Sequence, residues 1–222
     1  MTDLFDLYGA SRQRMLELAR AAGPEAMGAT VPACPDWSAH DLLTHCTSMP
    51  AALSAGDFPT GDLDDWIDSI LRARSGRSID ELAAEWTSAD ATIAGMLSGD
   101  GAVLFDDLVV HEHDLRAALG APDHSTVDAE ASVPRCLRWA VPALTERGLG
   151  AIEVRSDEGT WRSHDAPTGW TLEVSPWEAT RVLYSRRTAD ELRALGGSDD
   201  MEAYIEVLDG HLRLPSTSLA ER

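Results

Sequence analysis

Lysine is absent from this chain. All eighteen basic residues are arginine, set against 38 aspartates and glutamates, for a formal net charge of −20. A surface so short of positive charge repels phosphate backbones and anionic headgroups, which excludes nucleic acid and acidic membranes as expected partners. Cysteine is scarce too. Cys34, Cys46 and Cys136 are odd in number and scattered, so they cannot build a disulfide framework, and their use fits a reducing cytoplasm. No run of about twenty apolar residues is there to span a bilayer. The opening Met1-Thr2-Asp3 has neither a basic region nor an apolar stretch, so no targeting segment is expected. Internal repeats and low-complexity tracts are also missing.

What is present is a chain of 222 residues, 44% hydrophobic, long enough to bury a core without disulfide or metal staples. Apolar residues recur first with a helical period. Leu4, Leu7, Tyr8, Ser11, Met15, Leu18 and Ala22 form one stripe, stopped by Gly23-Pro24. A Gly- and Pro-rich loop leads to Cys34-Pro35-Asp36-Trp37. Ser38 with Asp41 reads as a capping box opening a second helix to about Leu53, with Pro50 expected to kink or restart it. A short helix follows over Asp62–Arg74, then a longer one over Ser78–Leu97, capped by Ser78 and Glu81. Gly99-Asp100-Gly101 is a turn, and a further helix covers about Ala102–Leu119 until Gly120 ends it.

After Ala121-Pro122 the pattern changes. A helix is expected over Val133–Arg147, with a break at Pro142. Short alternating runs follow at Ala151–Arg155, Thr160–Ser163 and Trp170–Val174, with Asp157-Glu158-Gly159 as a hairpin turn. Ser175-Pro176-Trp177-Glu178 and Thr188-Ala189-Asp190-Glu191 read as helix starts, each with a capping-box glutamate, a last helix covers about Ser198–Leu208, and the tail from Ser216 is expected to be loose. The fold class predicted is α+β: a helical bundle over residues 1–122, then a small α+β domain over 123–222.

The chemistry centres on Asp107 and His111. At i and i+4 on a helix they project from one face, a turn apart. Counted at about 100° per residue from Leu104, His111 lies about 20° away and Asp107 about 60° away on the same side, while His113 lies about 180° away and should face water. His45 sits about 60° from Leu42, at the edge of the buried face of its own helix. His45, Asp107 and His111 together would supply two imidazoles and a carboxylate to a divalent ion, with positions left open for water or a substrate. The alternative is plain: a hydrogen-bonded Asp–His pair on a helix edge, and a separate core histidine. Asp114 falls on the flank of His111 and is a candidate to orient it.

Cys34 and Cys46 flank His45 and suggest a rival thiolate site, but their spacing matches no zinc-finger pattern, and Cys46 lies on an apolar stripe. His113, His124, His164 and His211 sit in polar surroundings and are expected at the surface. The seven tryptophans are expected mainly in the core, with Trp37 a candidate for a cavity mouth. Arg186-Arg187 reads as a solvated helix end or, through the guanidinium fork, as a grip for a substrate carboxylate.

The segment Val31-Pro32-Ala33-Cys34-Pro35-Asp36-Trp37-Ser38-Ala39-His40-Asp41-Leu42-Leu43-Thr44-His45 resembles the first signature of the maleylpyruvate isomerase family of mycothiol-dependent enzymes. Leu108-Val109-Val110-His111-Glu112-His113-Asp114-Leu115 is similar to that family's second signature. The resemblance covers about residues 1–120 and implies a DinB-like four-helix bundle. It also implies a divalent metal, usually zinc, on His45, Asp107 and His111, and mycothiol as thiol cosubstrate. Asp107 stands where the family has glutamate, one methylene longer. Arg181, Arg186 and Arg187 lie in a piece that is less specifically similar to the family's C-terminal domains. The function this implies is a metal-dependent thiol transferase or isomerase acting on a small electrophilic substrate. Apart from the resemblance, Asp114, as the group orienting His111, and Arg187, as a grip for a substrate carboxylate, are the catalytic candidates, and a cytoplasmic monomer or homodimer is expected. The alternative is a metal- or thiol-binding module without turnover.

Overall fold

The computed structural model describes residues 3–98, 102–121, 123, 126–219 and 221, the side chains of 126 and 127 excepted. The chain divides into two compact units, Met1–Pro122 and Asp123–Arg222. The architecture is mixed α+β, 61% helical, with ten helices and two small sheets among the described residues. None of these helices is long and apolar enough to cross a membrane.

In the first unit, α1 (Leu4–Ala26) starts where the Asp3 side chain accepts the amide of Phe5, and it runs past the predicted stop. Gly23 breaks the helix at φ 76°, a left-handed conformation glycine reaches without a Cβ clash, and one further turn follows. The loop beyond is not irregular. It holds β1 (Thr30–Val31) and β2 (Cys34–Ser38), an antiparallel hairpin too short for its alternation to register as strand in the sequence. Backbone bonds from Ala39 to Ala29 (2.8 Å) and from His40 to Met27 (2.9 Å) fasten this hairpin to the start of the next helix.

That helix, α2 (Ala39–Ser54), opens on the capping box of Ser38 and Asp41 as the sequence predicts, and continues through Pro50. Leu42, Leu43, Cys46 and Ala52 are buried along it. Next come α3 (Leu63–Arg74), capped by Asp62, and α4 (Ile79–Ser88), opened by the capping box of Ser78 and Glu81. The single helix expected over 78–97 is two, because α5 (Asp90–Leu97) begins after a break at Ala89. The apolar stripe nonetheless runs on across the break through Leu82, Trp86, Ala89, Ile93 and Leu97. The turn predicted at 99–101 lies outside the described residues. Last is α6 (Val103–Ala118), which packs against α1, α2, α5 and β1.

In α6 the single-stripe expectation fails. From Leu104 to Leu115 every residue except Asp107 is buried, so the face opposite Leu104 is covered as fully as the one containing it. His113, expected in water, is buried at 8% exposure. His113 does lie opposite Leu104, but neighbours on several sides cover that face as well.

Glu112, also buried, locks α6 to α1. Its carboxylate accepts from Arg14 Nε (2.8 Å) and Nη2 (2.6 Å), from Ser11 Oγ (2.7 Å), and from Arg116 Nη2 (2.8 Å). Burial alone would raise this carboxyl group, but the hydrogen bonds from Arg14 and Ser11, with the charge of Arg14, outweigh it and hold Glu112 below the usual carboxylate range.

The second unit begins with α7 (Thr126–Glu146), earlier than the expected start at Val133. Two prolines lie inside it, each an interruption worth about 3 kcal/mol. Ala129, Val133, Cys136, Leu137, Ala140 and Leu144 are fully buried at helical spacing, and at about 1.5–3 kcal/mol for each large side chain this stripe outweighs the prolines. The sheet has the order β4-β3-β5, with β3 (Ala151–Arg155), β4 (Thr160–Arg162) and β5 (Thr168–Glu173). β3 pairs antiparallel with β4 through the predicted hairpin turn and parallel with β5.

Then follow α8 (Pro176–Leu183), α9 (Ala189–Leu195), with the predicted Thr188–Glu191 capping box, and α10 (Met201–Asp209). Ser175 caps α8, but Glu178 does not close a box there. Its carboxylate binds Arg187 instead, because a charged bidentate pair outcompetes a single backbone amide. The described residues of the tail are not loose either. Leu219 and Glu221 are buried, and Glu221 receives a bidentate pair from the wholly buried Arg181.

Glu112 generates a test. A carboxyl group lowered in the folded state contributes stability above its unfolded pKa, about 4.3, and that contribution is lost as pH falls through the folded value. Glu112→Gln should therefore show a shallower loss of urea stability below about pH 4.3 than the native chain. Glu112→Ala should cost roughly 3 kcal/mol at pH 7, because it leaves partly buried guanidinium groups unpaired. Equal acid slopes for native and Gln chains would remove Glu112 as the lock.

Candidate functional site

The hairpin, α2 and α6 bring the predicted residues together. His45 comes from the second turn of α2, and Asp107 and His111 come from one face of α6. Asp107 reaches both imidazoles, with Oδ2 3.6 Å from His45 Nε2 and Oδ1 3.4 Å from His111 Nε2. One donor atom from each of the three lies within 4.8 Å of the others. The two rings meet edge to face, their centroids 5.2 Å apart.

Asp114, fully buried, places Oδ2 3.0 Å from His111 Nδ1. An ionised Asp114 carboxylate can only accept, which puts the proton on Nδ1, and a neutral His111 then presents its Nε2 lone pair to Asp107. The contact runs back along the helix from i+3 to i.

These distances decide what the cluster can hold. At 3.4 and 3.6 Å the nitrogen–oxygen pairs are too long for hydrogen bonds. A lone pair on neutral His111 Nε2 facing a carboxylate oxygen is repulsive, and a divalent ion between them relieves this, as a proton on Nε2 would. Ligands about 2.0–2.1 Å from a tetrahedral ion are about 3.3–3.4 Å from one another, which is close to the observed edges. The donor set therefore fits a divalent ion bound by two imidazoles and a carboxylate.

Access is uneven. His45 and His111 are buried, whereas the Asp107 side chain is 32% exposed. The approach is on the aspartate side. Trp37 on β2 covers the imidazoles, its ring 5.0 Å from that of His45 and 6.4 Å from that of His111.

Cys46, on α2 beside His45, is buried. Burial pushes its thiol well above the ordinary value, and the charges of Asp107 and Asp114 add to this, so it stays an inert core thiol. Cys34 is half-buried on β2 and belongs to a second cluster with His111 and Asp114. Nothing in the sequence signalled that approach, because it depends on how the hairpin folds back.

Arg187 is held inside the second unit. Its Nε and Nη2 donate to Glu178 at 2.7 Å, and its Nη1 donates to Glu221 (2.8 Å) and to the Arg186 carbonyl (2.7 Å). Its guanidinium also lies over the Trp177 ring, 5.4 Å from the centroid. A substrate carboxylate would have to displace one of these glutamates. Of the other histidines expected at the surface, His211 is exposed and stacked on Trp139, His164 is half-buried against Ser163, and His124 lies outside the described residues. A separate cleft of about 640 Å³ in the first unit is lined by Arg20, Met27, His40, Arg77 and Asp80, among others, and by none of His45, Asp107 and His111. The clustered donors make the triad the better candidate for chemistry.

No family model matches this chain, and neither a curated protein nor a solved structure matches it.

Two outcomes test the cluster by composition alone. Purified protein incubated with Zn²⁺ and desalted should retain about one ion per chain at His45, Asp107 and His111 by elemental analysis. His45→Ala and His111→Ala should each lose it. His113→Ala should keep the ion but unfold at lower temperature, since it empties a buried position without removing a donor of the cluster. Retention of metal by both of the first two variants would dissolve the triad.

Proposed function

We propose that the protein is a metal-dependent enzyme that uses a low-molecular-weight thiol, mycothiol in the family its two signatures resemble. It would act on a small electrophilic substrate by thiol transfer or isomerisation, from a DinB-like bundle in its first unit. The observation that carries this reading is the convergence of His45, Asp107 and His111, with Nε2 of both imidazoles aimed at one carboxylate.

A divalent ion bound there would act as a Lewis acid that keeps a thiol in its thiolate form at neutral pH. The chain's own residues do the rest. Asp114 holds the Nδ1 proton of His111 and so fixes both the tautomer and the ring plane. Trp37 shields one side of the imidazoles from water. Asp107 is the most exposed member of the set and leaves its own side open for a thiol and a substrate to enter. The shorter carboxylate at this position is compatible with the reading, because Asp107 already reaches both rings from its place on α6. The internal pairing of Arg187 supports a structural role in the second unit, and its proposed grip on a substrate carboxylate gains nothing from the geometry.

Turnover is the test. Purified metal-loaded protein with mycothiol and a panel of electrophiles should consume the thiol, or isomerise the electrophile without net thiol loss. His45→Ala should abolish this in protein that circular dichroism shows to be folded. Stoichiometric metal and thiol binding with no turnover across the panel would favour a carrier or sensor module. Asp107→Glu should retain the metal and measurable turnover, and Asp107→Ala should lose both. Unchanged metal content in Asp107→Ala would remove this carboxylate from the site.

A further inference from the structure

His111 belongs to two donor sets. Beside the set with His45 and Asp107, one donor atom each from Cys34, His111 and Asp114 also lies within 4.8 Å of the other two. The sets differ in chemistry. The first offers nitrogen and oxygen, which suit a borderline or hard divalent ion, while the second adds a thiol, the donor type that selects soft ions. They also differ in construction. His45, Asp107 and His111 join two helices, whereas Cys34 is brought to α6 by the β1–β2 hairpin. The two nitrogens of His111 point opposite ways, Nε2 toward Asp107 at 3.4 Å and Nδ1 toward Asp114 at 3.0 Å.

We propose that Cys34, His111 and Asp114 form a second, thiolate-containing site for a soft divalent cation such as Cd²⁺, coupled to the first through their shared imidazole. Binding sends the Cys34 thiol proton to solvent, moves the His111 ring proton from Nδ1 to Nε2, and makes three bonds to the ion, from sulfur, Nδ1 and oxygen. Cys34 is half-buried, so the ion can reach the sulfur without the core opening, while Asp114 is fully buried and already held in place against the ring. Asp114 orients His111 for the first site, so its capture by an ion in the second releases that orientation. A soft metal on the hairpin side should therefore weaken the helix-side set. This inference does not depend on the thiol-enzyme reading, because it requires neither His45 nor Asp107.

The probe is Cd²⁺ alone, titrated into full-length protein and followed by the ultraviolet thiolate-to-cadmium charge-transfer band, with X-ray absorption at the cadmium edge to count sulfur ligands. The native chain should develop the band to one equivalent, with one sulfur per cadmium. The double variant His45→Ala, Asp107→Ala should keep it, whereas Cys34→Ser should lose it. Asp114→Asn should bind Cd²⁺ about 10–100-fold more weakly. Zn²⁺ bound first at the helix-side set should be released at least in part as the band grows. Circular dichroism on each variant restricts the comparison to folded protein. A band that survives Cys34→Ser would arise from Cys46 or Cys136 and overturn the assignment, as would no band in the native chain or loss of the band in the double variant. Failure of the helix-side triad appears separately, as unchanged Zn²⁺ retention by His45→Ala.

Discussion

Everything at the candidate site depends on how α6 is rotated about its axis, and Glu112 fixes that rotation. Its carboxylate is buried between α1 and α6 and tied by Arg14, Ser11 and Arg116. A buried charge has few tolerable positions, because each one must supply enough donors to replace water. Once Glu112 points at α1, its neighbour His111 is turned about 100° away, toward α2 and the hairpin. Asp107 and Asp114 follow on the same flank. The helix carries its chemistry on one side and its anchor on another, so it is buried almost all round.

That arrangement gives the cluster a graded environment. Asp114 is wholly buried, the two imidazoles nearly so, and Asp107 is the one residue of Leu104–Leu115 left half-open. A second carboxylate behind His111 and a tryptophan over both rings restrict the donors to a narrow geometry. The second unit shows the same habit of satisfying charge internally. Arg181 and Arg187 converge on Glu221, and Glu153 on the central strand is held by Arg155 and Arg162. In a chain with more than twice as many acids as bases, these arginine forks neutralise acids that folding brings inward.

Features that rest on neighbours in sequence were legible from the chain alone. The capping boxes at Ser38, Ser78 and Thr188 form as read, because a Ser or Thr and an acid three residues on complete each other's bonds with little help from the rest of the fold. The Asp157-Glu158-Gly159 turn and the strands beside it were equally local. So was the site's kernel. The i,i+4 pair and the i+3 carboxylate follow from helical geometry, and the angular offset of His45 placed it at the edge of a buried face.

Contacts between distant segments decided the rest. Whether Pro142 interrupts α7 depends on how much apolar surface the stripe buries on both sides of it. Whether His113 meets water depends on how many elements surround α6. Glu178 forgoes its capping box because Arg187 arrives from beyond the end of α8, and the tail is held because Glu221 finds Arg181 across forty positions of chain. Cys34 reaches His111 only through a hairpin whose two-residue first strand carries no alternation to read. The sequence by itself determined which residues could act together along one helix. Tertiary structure decided which faces were covered, which charges found partners and which thiol came to the imidazole, because each of these is set by the desolvation and pairing of groups far apart in the chain.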